Sequence, residues 1–277
     1  MKKNLIVLAL LLTAGLAHSQ ESVTLKYNFV KGKTYVQNTQ VAQNIIQSMG
    51  GQEMKMQSDI NANNEYAIEG VSADGNATVL VSVLNASVHS VVMGKDTTMK
   101  FNDLKYKSRV VFSKEGKSIS SVKVDSSDAT NMMGQMTQLV KLQPLPGRSV
   151  KIGEKWQDTI VENTKPSGGN PFAIDIKSIM EYTLVGKEAK DGKEYFKISY
   201  TGTLAINGKG NQMGMDMFME GTGQIAGFNY FDSKTSMIVY SEGNTEMDMS
   251  IAVSGQQNMT IPMTQSMKTI VKIEEKK

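Results

Sequence analysis

The sequence contains no cysteine. This absence excludes disulfide bonds, thiolate nucleophiles, zinc–thiolate sites and iron–sulfur clusters. It also excludes the lipid-modified cysteine that tethers bacterial lipoproteins. We therefore expect a fold that is stabilised by its hydrophobic core alone, with no cofactor and no metal.

Histidine is almost absent as well, since the chain has only His18 and His89. His18 falls in the N-terminal leader described below, so a Ser-His-Asp hydrolase would have to use His89. No Gly-x-Ser-x-Gly motif accompanies that residue. We interpret His89 as a partly buried imidazole on a strand. The sequence predicts no catalytic residues, and we expect that the protein is not an enzyme.

Neither sign of charge dominates the chain, in which 30 Lys and Arg stand against 27 Asp and Glu. A protein that binds nucleic acid is expected to carry a basic patch or stripe. No run of Lys or Arg occurs in this sequence, so we predict no nucleic-acid partner.

Proline is scarce, with five in the chain, of which Pro144 is the first. Proline lacks the N–H that strand pairing needs, so its absence ahead of that position favours long paired strands. Asp74-Gly75 and Asp191-Gly192 each lie between alternating segments and predict hairpin turns. Residues 79–92 and 195–206 are rich in β-branched and aromatic side chains, as half-buried strands are. The sequence predicts an all-β, antiparallel fold.

The N-terminus has the layout of an export signal. Lys2 and Lys3 precede an apolar run over 5–12, and small residues follow up to Ser19. This order is typical of a cleavable signal peptide, and the run is well short of the roughly 20 residues that span a bilayer. We predict a signal peptide over 1–19 and a mature protein that begins at Gln20 and has no transmembrane segment. The predicted location is periplasmic or secreted, and the protein is not a lipoprotein.

One helix is predicted midway, because Ser126, Ser127 and Asp128 offer caps ahead of apolar residues at helical spacing. With the proline-rich turn that follows, it forms a predicted linker over 126–147. Short sequences recur on either side: residues 31–35 (KGKTY) resemble residues 152–156 (IGEKW). This recurrence predicts a first β repeat over 20–125 and a second over 148–277. Chance similarity among glycine-turn sequences is the alternative.

We predict that the two repeats form a duplicated antiparallel meander with the central helix on its apolar face. Three arrangements remain open: a large curved sheet, an open barrel and a two-lobed sandwich. The sequence does not decide between one core and two.

Methionine is unusually frequent, with 20 in the chain. In 213–219 the methionines take every second position, and Asp216 and Glu220 belong to the opposite face of the same predicted strand. Thioether side chains are unbranched and polarisable, and they adapt to irregular apolar surfaces. Four interpretations are open: core filler, a hollow for a hydrophobic ligand such as an acyl chain, a Cu(I) site, and an adhesive surface for a partner protein. The predicted ligand-binding residues are Met213, Met215, Met217, Met219, Met247, Met249, Met132 and Met136.

Two other patterns receive structural interpretations. Asp216 with Glu220, and Glu246 with Asp248, share strand parity as a glycosidase pair could, but we expect both pairs to face water. The glycines at 221, 223 and 227 lack the following helix of a dinucleotide loop, and we interpret them as part of a β-meander.

Several segments resemble a family of functionally uncharacterised secreted proteins of Bacteroidota. The resemblance rests on the signal, on residues 31–35, on 145–147 running into 150–156, and on the late glycine-rich strand with Phe231-Asp232. It implies an envelope or secreted location and no known activity. A looser similarity of architecture is to the periplasmic lipoprotein carriers, in which a curved antiparallel sheet encloses an apolar hollow.

The function predicted from the sequence is that of an exported, non-enzymatic binding protein that holds a hydrophobic small molecule or lipid on a methionine-rich β face. The alternative is a structural or protein-interaction module of the envelope, with an envelope protein as its partner and methionine as core filler.

Overall fold

The computed structural model describes residues 21–125, 141–166, 172–212, 214–254 and 258–276. These residues form strands and no helix, so the all-β prediction is confirmed. The strands are β1 (Ser22–Thr24), β2 (Thr34–Met49), β3 (Gln52–Val71), β4 (Ala77–Val92), β5 (Lys95–Phe112), β6 (Ser118–Asp125), β7 (Ser149–Lys151), β8 (Lys155–Thr164), β9 (Phe172–Lys190), β10 (Lys193–Gln212), β11 (Met215–Asp232), β12 (Met237–Ser254) and β13 (Met259–Glu275).

The predicted helix falls on residues 126–140, which lie outside the described residues. The rest of the predicted linker is described, and residues 141–146 have no regular secondary structure. The helical part of the predicted fold therefore has no counterpart in the part of the chain that the structure describes.

Eleven strands form one antiparallel sheet in the order β6-β5-β4-β3-β2-β13-β12-β11-β10-β9-β8. The centre of this sheet is the pair between β2 and β13, which joins the two predicted repeats. β6 and β8 are its two edges, so the sheet is not closed. The predicted repeats thus contribute to a single continuous sheet, and their common origin by duplication stays a prediction.

Tight turns connect successive strands of the sheet. Asp191 and Gly192 connect β9 to β10 with φ values of 50° and 75°, the left-handed conformation that a two-residue hairpin of type I′ requires. Asp74-Gly75 lies in the turn between β3 and β4, where Gly75 has a φ of 83°. Both dipeptides therefore lie at turns, as their sequence predicts.

The hydrophobic core lies on one face of the sheet, here called the inner face, at the end we call the closed end. Buried residues from both halves of the sheet meet there, among them Tyr66, Val81, Ile198 and Phe231. Two segments that run beside the sheet complete the core with Leu25, Tyr27 and Phe29 from one and Leu142, Leu145 and Val150 from the other.

The two segments are held together by backbone hydrogen bonds. Leu25 N donates to the carbonyl of Arg148, Gly147 N donates to the carbonyl of Leu25, and β1 pairs with β7. The Tyr27 hydroxyl donates to the carbonyl of Gln143 at 2.8 Å. Within the described part of the chain, these segments cover the inner face at one end of the sheet.

Buried tyrosines make the closed end sensitive to alkali. Burial raises the pKa of Tyr27, Tyr66 and Tyr182 well above its ordinary value. Above pH of about 10 the unfolded chain loses protons that the folded chain retains, so stability falls as the pH rises, by about 1.4 kcal/mol per pH unit for each tyrosine. We expect the variant with Phe at all three positions to lose stability less steeply with pH than the unaltered chain. Denaturant unfolding above that pH measures both slopes, and equal slopes would contradict this assignment.

Candidate functional site

The predicted methionine row lies on the inner face of β11. Met219 is opposite Gly208 of β10, which shares its strand face with Ile198 and Tyr200 of the core. Met215 and Met217 have the same parity as Met219. Met213 of the predicted row, and Met132 and Met136 of the predicted helix, lie outside the described residues.

The predicted methionines of β12 lie on the same face. Met249 is opposite Gly221 of β11 on one side and Met263 of β13 on the other, and Met247 is opposite Gly223. A hydrophobic cluster contains Met249, Leu204 and Ile206, with Met219, Met247 and Met263 packed against it. The structure therefore brings three of the predicted residues together and adds Met263.

Glycines make room for these methionines. A Cβ added at Gly221 would lie 2.5 Å from Cγ of Met249, and one at Gly223 would lie 2.7 Å from Cγ of Met247. Each methionine stem therefore crosses the neighbouring strand where no side chain exists. The stems of Met247 and Met249 therefore lie against the inner face and coat it with apolar surface.

The inner face beyond the closed end consists of two separate apolar walls. One wall is a cluster on β3–β5 around Ala62, Val83 and Ala86. The other is the methionine-containing cluster on β9–β13. Among the described residues, it is at the closed end that buried residues of both halves join in one cluster. Within the described residues the two walls do not join each other, and the space between them, beyond the core of the closed end, is here called the hollow. We call the end at which the methionines lie the open end.

The methionines become more exposed towards the open end. Met249 is 9% exposed, Met217 and Met219 are half-buried, and Met215 is 41% exposed. Met54, Met56 and Met99, on β3 and β5, are half-buried on the opposite wall. Partly exposed methionines thus lie on both walls towards the open end, here called the rim.

Uncharged polar groups lie between the core of the closed end and the methionines. The Tyr66 hydroxyl donates to Oε1 of Gln37 at 3.0 Å, and Nε2 of Gln37 donates to Oγ1 of Thr39 at 3.0 Å. The Tyr200 hydroxyl donates to the carbonyl of Glu242, and burial raises its pKa. The buried polar residues in the described chain are Gln37, Thr39, Asn64, Ser108, Ser178, Asn229, Ser241 and Thr245, none of which is ionisable. The fully buried polar side chains of the described inner face are therefore uncharged.

The carboxylates singled out by the sequence lie on the outer face. Asp216, Glu220, Glu246 and Asp248 are all exposed there. Nδ2 of Asn211 donates to Oδ1 of Asp216 at 2.8 Å. No group of three or more His, Cys, Asp or Glu side chains able to hold a metal ion occurs within the described ranges.

His89 is also on the outer face, and 41% of its side chain is exposed. Its Nε2 lies 2.9 Å from Oδ1 of Asp96, and its Nδ1 lies 3.7 Å from Oδ2 of Asp59. The imidazole therefore bridges two carboxylates on a solvated strand face, away from the hollow.

Sequence reasoning missed the glycines that receive the methionines. Gly221 and Gly223 continue the parity of the methionine row along β11, and Met247 and Met249 repeat that two-residue spacing on β12. The signal in the sequence was that the glycines of β11 and the methionines of β12 recur at the same two-residue spacing. The glycines do lie within a strand, as their interpretation as part of a meander predicts. Their role in that strand is to leave room for the methionine side chains of β12.

No protein-family model matches the chain, and no curated protein matches it. Solved structures to which it is similar include OccK7 (OpdD) of Pseudomonas aeruginosa, with 6% identity, 88% of this chain and 100% of that chain covered, and a TM-score of 0.25. An outer membrane channel from Pseudomonas putida F1 has 9% identity, 89% and 97% coverage and a TM-score of 0.21. The translocator domain of the autotransporter NalP from Neisseria meningitidis has 8% identity, 88% and 89% coverage and a TM-score of 0.21.

These TM-scores are too low to support an argument about function. Among the described residues, none belongs to a helix that could span a membrane.

Proposed function

We propose that this protein is an exported, non-enzymatic binding protein that holds an apolar, lipid-like ligand against the methionine-coated inner face. The observation that carries the proposal is that Met215, Met217 and Met219 stay partly exposed on an apolar wall of the inner face, beside Met247 and Met249, whose stems lie over glycine positions. Burying such surface under a ligand is favourable by about 25 cal/mol per Å². The exposed rim thus supplies a driving force for binding.

The dimensions of the wall suit an extended hydrocarbon chain. From Met215 to Gly223 the inner face of β11 is about 26 Å long at the usual strand rise. Methionine side chains can adjust to chains of different length and shape, because they have three rotatable bonds and a polarisable sulfur. An acyl chain is therefore the class of ligand we propose.

The absence of charge from the buried polar side chains of the described inner face determines how such a ligand would be oriented. An ionised group taken into an apolar site without a counter-charge carries a large desolvation cost. Because the buried polar groups are uncharged, a charged headgroup is expected to stay at the open rim while the chain enters. The proposal accordingly favours amphiphiles with a single apolar tail.

The N-terminal pattern of basic, apolar and small residues supports the proposed export to the periplasm or the medium. The resemblance to secreted proteins of Bacteroidota supports the same location. A carrier or sensor of lipid-like molecules would meet its ligands there.

The test uses Met215 and Met217, the two described methionines of the row nearest the open end. Replacing Met215 and Met217 together with Asp places two charges on the apolar wall, and we expect uptake of a fluorescent fatty acid to weaken by at least about tenfold, equivalent to 1.4 kcal/mol. Replacing both with Leu conserves volume and apolarity, so uptake should be retained. Fluorescence titration of the purified protein measures both.

Phe218 provides the matched control, since it lies between positions of the row on the same strand and is 48% exposed on the outer face. Phe218→Asp should leave uptake unchanged. The proposal fails if the unaltered protein takes up no fatty acid, or if the outer-face variant loses uptake as completely as the inner-face pair.

A further inference from the structure

The eleven strands that the described residues contribute to the sheet cannot close into a barrel with antiparallel pairing throughout. Every neighbouring pair in the eleven-stranded sheet is antiparallel, so strand direction alternates from one edge to the other. The two edge strands, β6 and β8, therefore run in the same direction. One further strand, antiparallel to both, would continue the alternation from each edge.

The two edges approach each other. Nζ of Lys117, beside the start of β6, lies 3.1 Å from Oδ2 of Asp158 on β8. Nζ of Lys141 lies 2.6 Å from Oε2 of Glu162, also on β8. The first contact shows that the sheet curls until the start of β6 comes near β8, and the second places residue 141 beside β8.

Between the two edges lies a cleft of about 750 Å³, here called the edge cleft. Its walls come from β5, β6, β8 and residues 141–144, and its base includes Val110, Phe112 and Leu142. On β8 the lining is the unbroken run Asp158–Thr164. Side chains alternate between the two faces of a strand, so an unbroken run means that the cleft meets β8 edge-on, along its backbone.

Residues 141–144 line the edge cleft without pairing with β8. The backbone of the adjoining Leu145 donates to the carbonyl of Glu115 in the turn between β5 and β6, and the carbonyl of Gln143 accepts from Tyr27. Within the described residues, the outward backbone groups of β8 therefore have no strand partner.

Apolar side chains remain exposed on both edges, beside Lys123 of β6, Lys155 of β8 and the two register shifts between β5 and β6. Natural edges are blocked by proline, lysine or bulges, and an exposed apolar edge is a template for pairing. β8 contains no proline, and its Val161 is 61% exposed. On β6, Ile119, Val122 and Val124 are 58%, 63% and 47% exposed.

We propose that the edge cleft binds one extended polypeptide segment of a partner protein, which adds as a strand antiparallel to both β6 and β8. A polypeptide backbone carries donors and acceptors at the spacing that an edge strand presents, and strand addition is an established mode of peptide recognition. Its apolar side chains would cover Val122 and Val161. This surface is separate from the methionine-coated face and does not depend on the lipid proposal.

The experiment uses a dye-labelled synthetic peptide of alternating Thr and Val with Lys at both ends, added to the full chain. We expect amide hydrogen exchange in β6 and β8 to slow by about tenfold or more when the peptide binds, since added hydrogen bonds of about 1.4 kcal/mol in total produce that change. The same peptide with alternate amides N-methylated cannot donate along one of its two edges, so it should protect at most one of the two strands.

Two variants test whether the peptide binds at the edge cleft. Replacing Val122 and Val161 together with Lys introduces the charge that blocks edges, and should weaken peptide binding by about tenfold or more. Val185→Lys is the matched control, because Val185 is 50% exposed but lies on β9, inside the sheet. It should leave peptide binding unchanged, and both variants should take up fatty acid as the unaltered protein does.

Three outcomes would overturn the inference. One is that neither strand gains protection from the peptide. Another is that the N-methylated peptide protects them equally. The third is that the outward-facing amides of β6 and β8 are already protected from hydrogen exchange without peptide. That result would mean that this chain or a second copy of it fills the edge cleft. None of these outcomes changes the expected uptake of fatty acid, which tests the proposed function independently.

Discussion

Replacing Phe231 with Ala is expected to lower the free energy of unfolding by about 3–5 kcal/mol, the usual cost of removing a buried Phe side chain. Phe231 is 0% exposed and lies in the core of the closed end, opposite Phe196 of β10. Residues of both halves of the sheet pack around it, so little of the space can be refilled by local movement. Denaturant unfolding followed by circular dichroism measures the change.

The control is another Phe on the same strand. Phe218 is 48% exposed on the outer face, and Phe218→Ala should change the free energy of unfolding by no more than about 0.5 kcal/mol. Similar losses for the two variants would mean that the assignment of the inner and outer faces of β11 is wrong.

Replacing Gly221 with Ala is expected to destabilise the protein by about 1–3 kcal/mol, the range found when a packed site receives an extra methyl group. The new Cβ would lie 2.5 Å from Cγ of Met249 and 2.9 Å from the carbonyl oxygen of Asp248. The methionine can move, but the carbonyl belongs to the paired backbone of β12 and cannot move without disturbing the sheet. Thermal and denaturant unfolding measure the loss.

Gly70 of β3 is the matched control, because a Cβ added there meets nothing within 4 Å. Gly70→Ala should be neutral, or stabilising by up to about 1 kcal/mol through the lower entropy of the unfolded chain. Adding Met249→Ala to Gly221→Ala should cost less than the sum of the two single changes, because one of the two clashes disappears. Additive losses would show that Met249 does not occupy the gap above Gly221.

The face of the methionine row was predictable because strand parity is local. Met215 and Met217 alternate with Asp216 and Phe218 in the sequence, and carboxylates are rarely buried without a partner. The turns at Asp74-Gly75 and Asp191-Gly192 were predictable for the same reason, since a two-residue hairpin depends on the conformations of its own residues.

What the sequence could not predict is which strands are neighbours. The gap at Gly221 receives Met249 only because β11 pairs with β12 in one register, and a shift by one residue would move every methionine of β12 to the other face. The register itself changes at the bulge between β11 and β12, where Tyr230 is opposite Tyr240 but Phe231 is opposite Ile238. Parity counted along β12 alone therefore fails at that point.

The closed end could not be predicted from local sequence patterns either. Leu25 and Leu145 belong to segments without regular strand structure, and nothing in their own periodicity indicates that they cover the core. Their burial depends on hydrogen bonds across the chain, such as that from the backbone of Leu25 to Arg148. The edge cleft likewise follows from the number of strands in the sheet rather than from any motif.

The pairing of β2 with β13 has a consequence for the order of assembly. Lys33, next to β2, bonds Glu275 of β13 across 242 residues of chain. β2 cannot find this neighbour until β13 has been synthesised, although β3 is available to it at once. Contacts between residues so far apart in sequence slow folding, because the entropy cost of closing the loop comes before the strand pairing that compensates for it. During that interval the chain presents the free side of β2 to its surroundings, so the middle of the finished sheet is its most vulnerable part while the protein is being made.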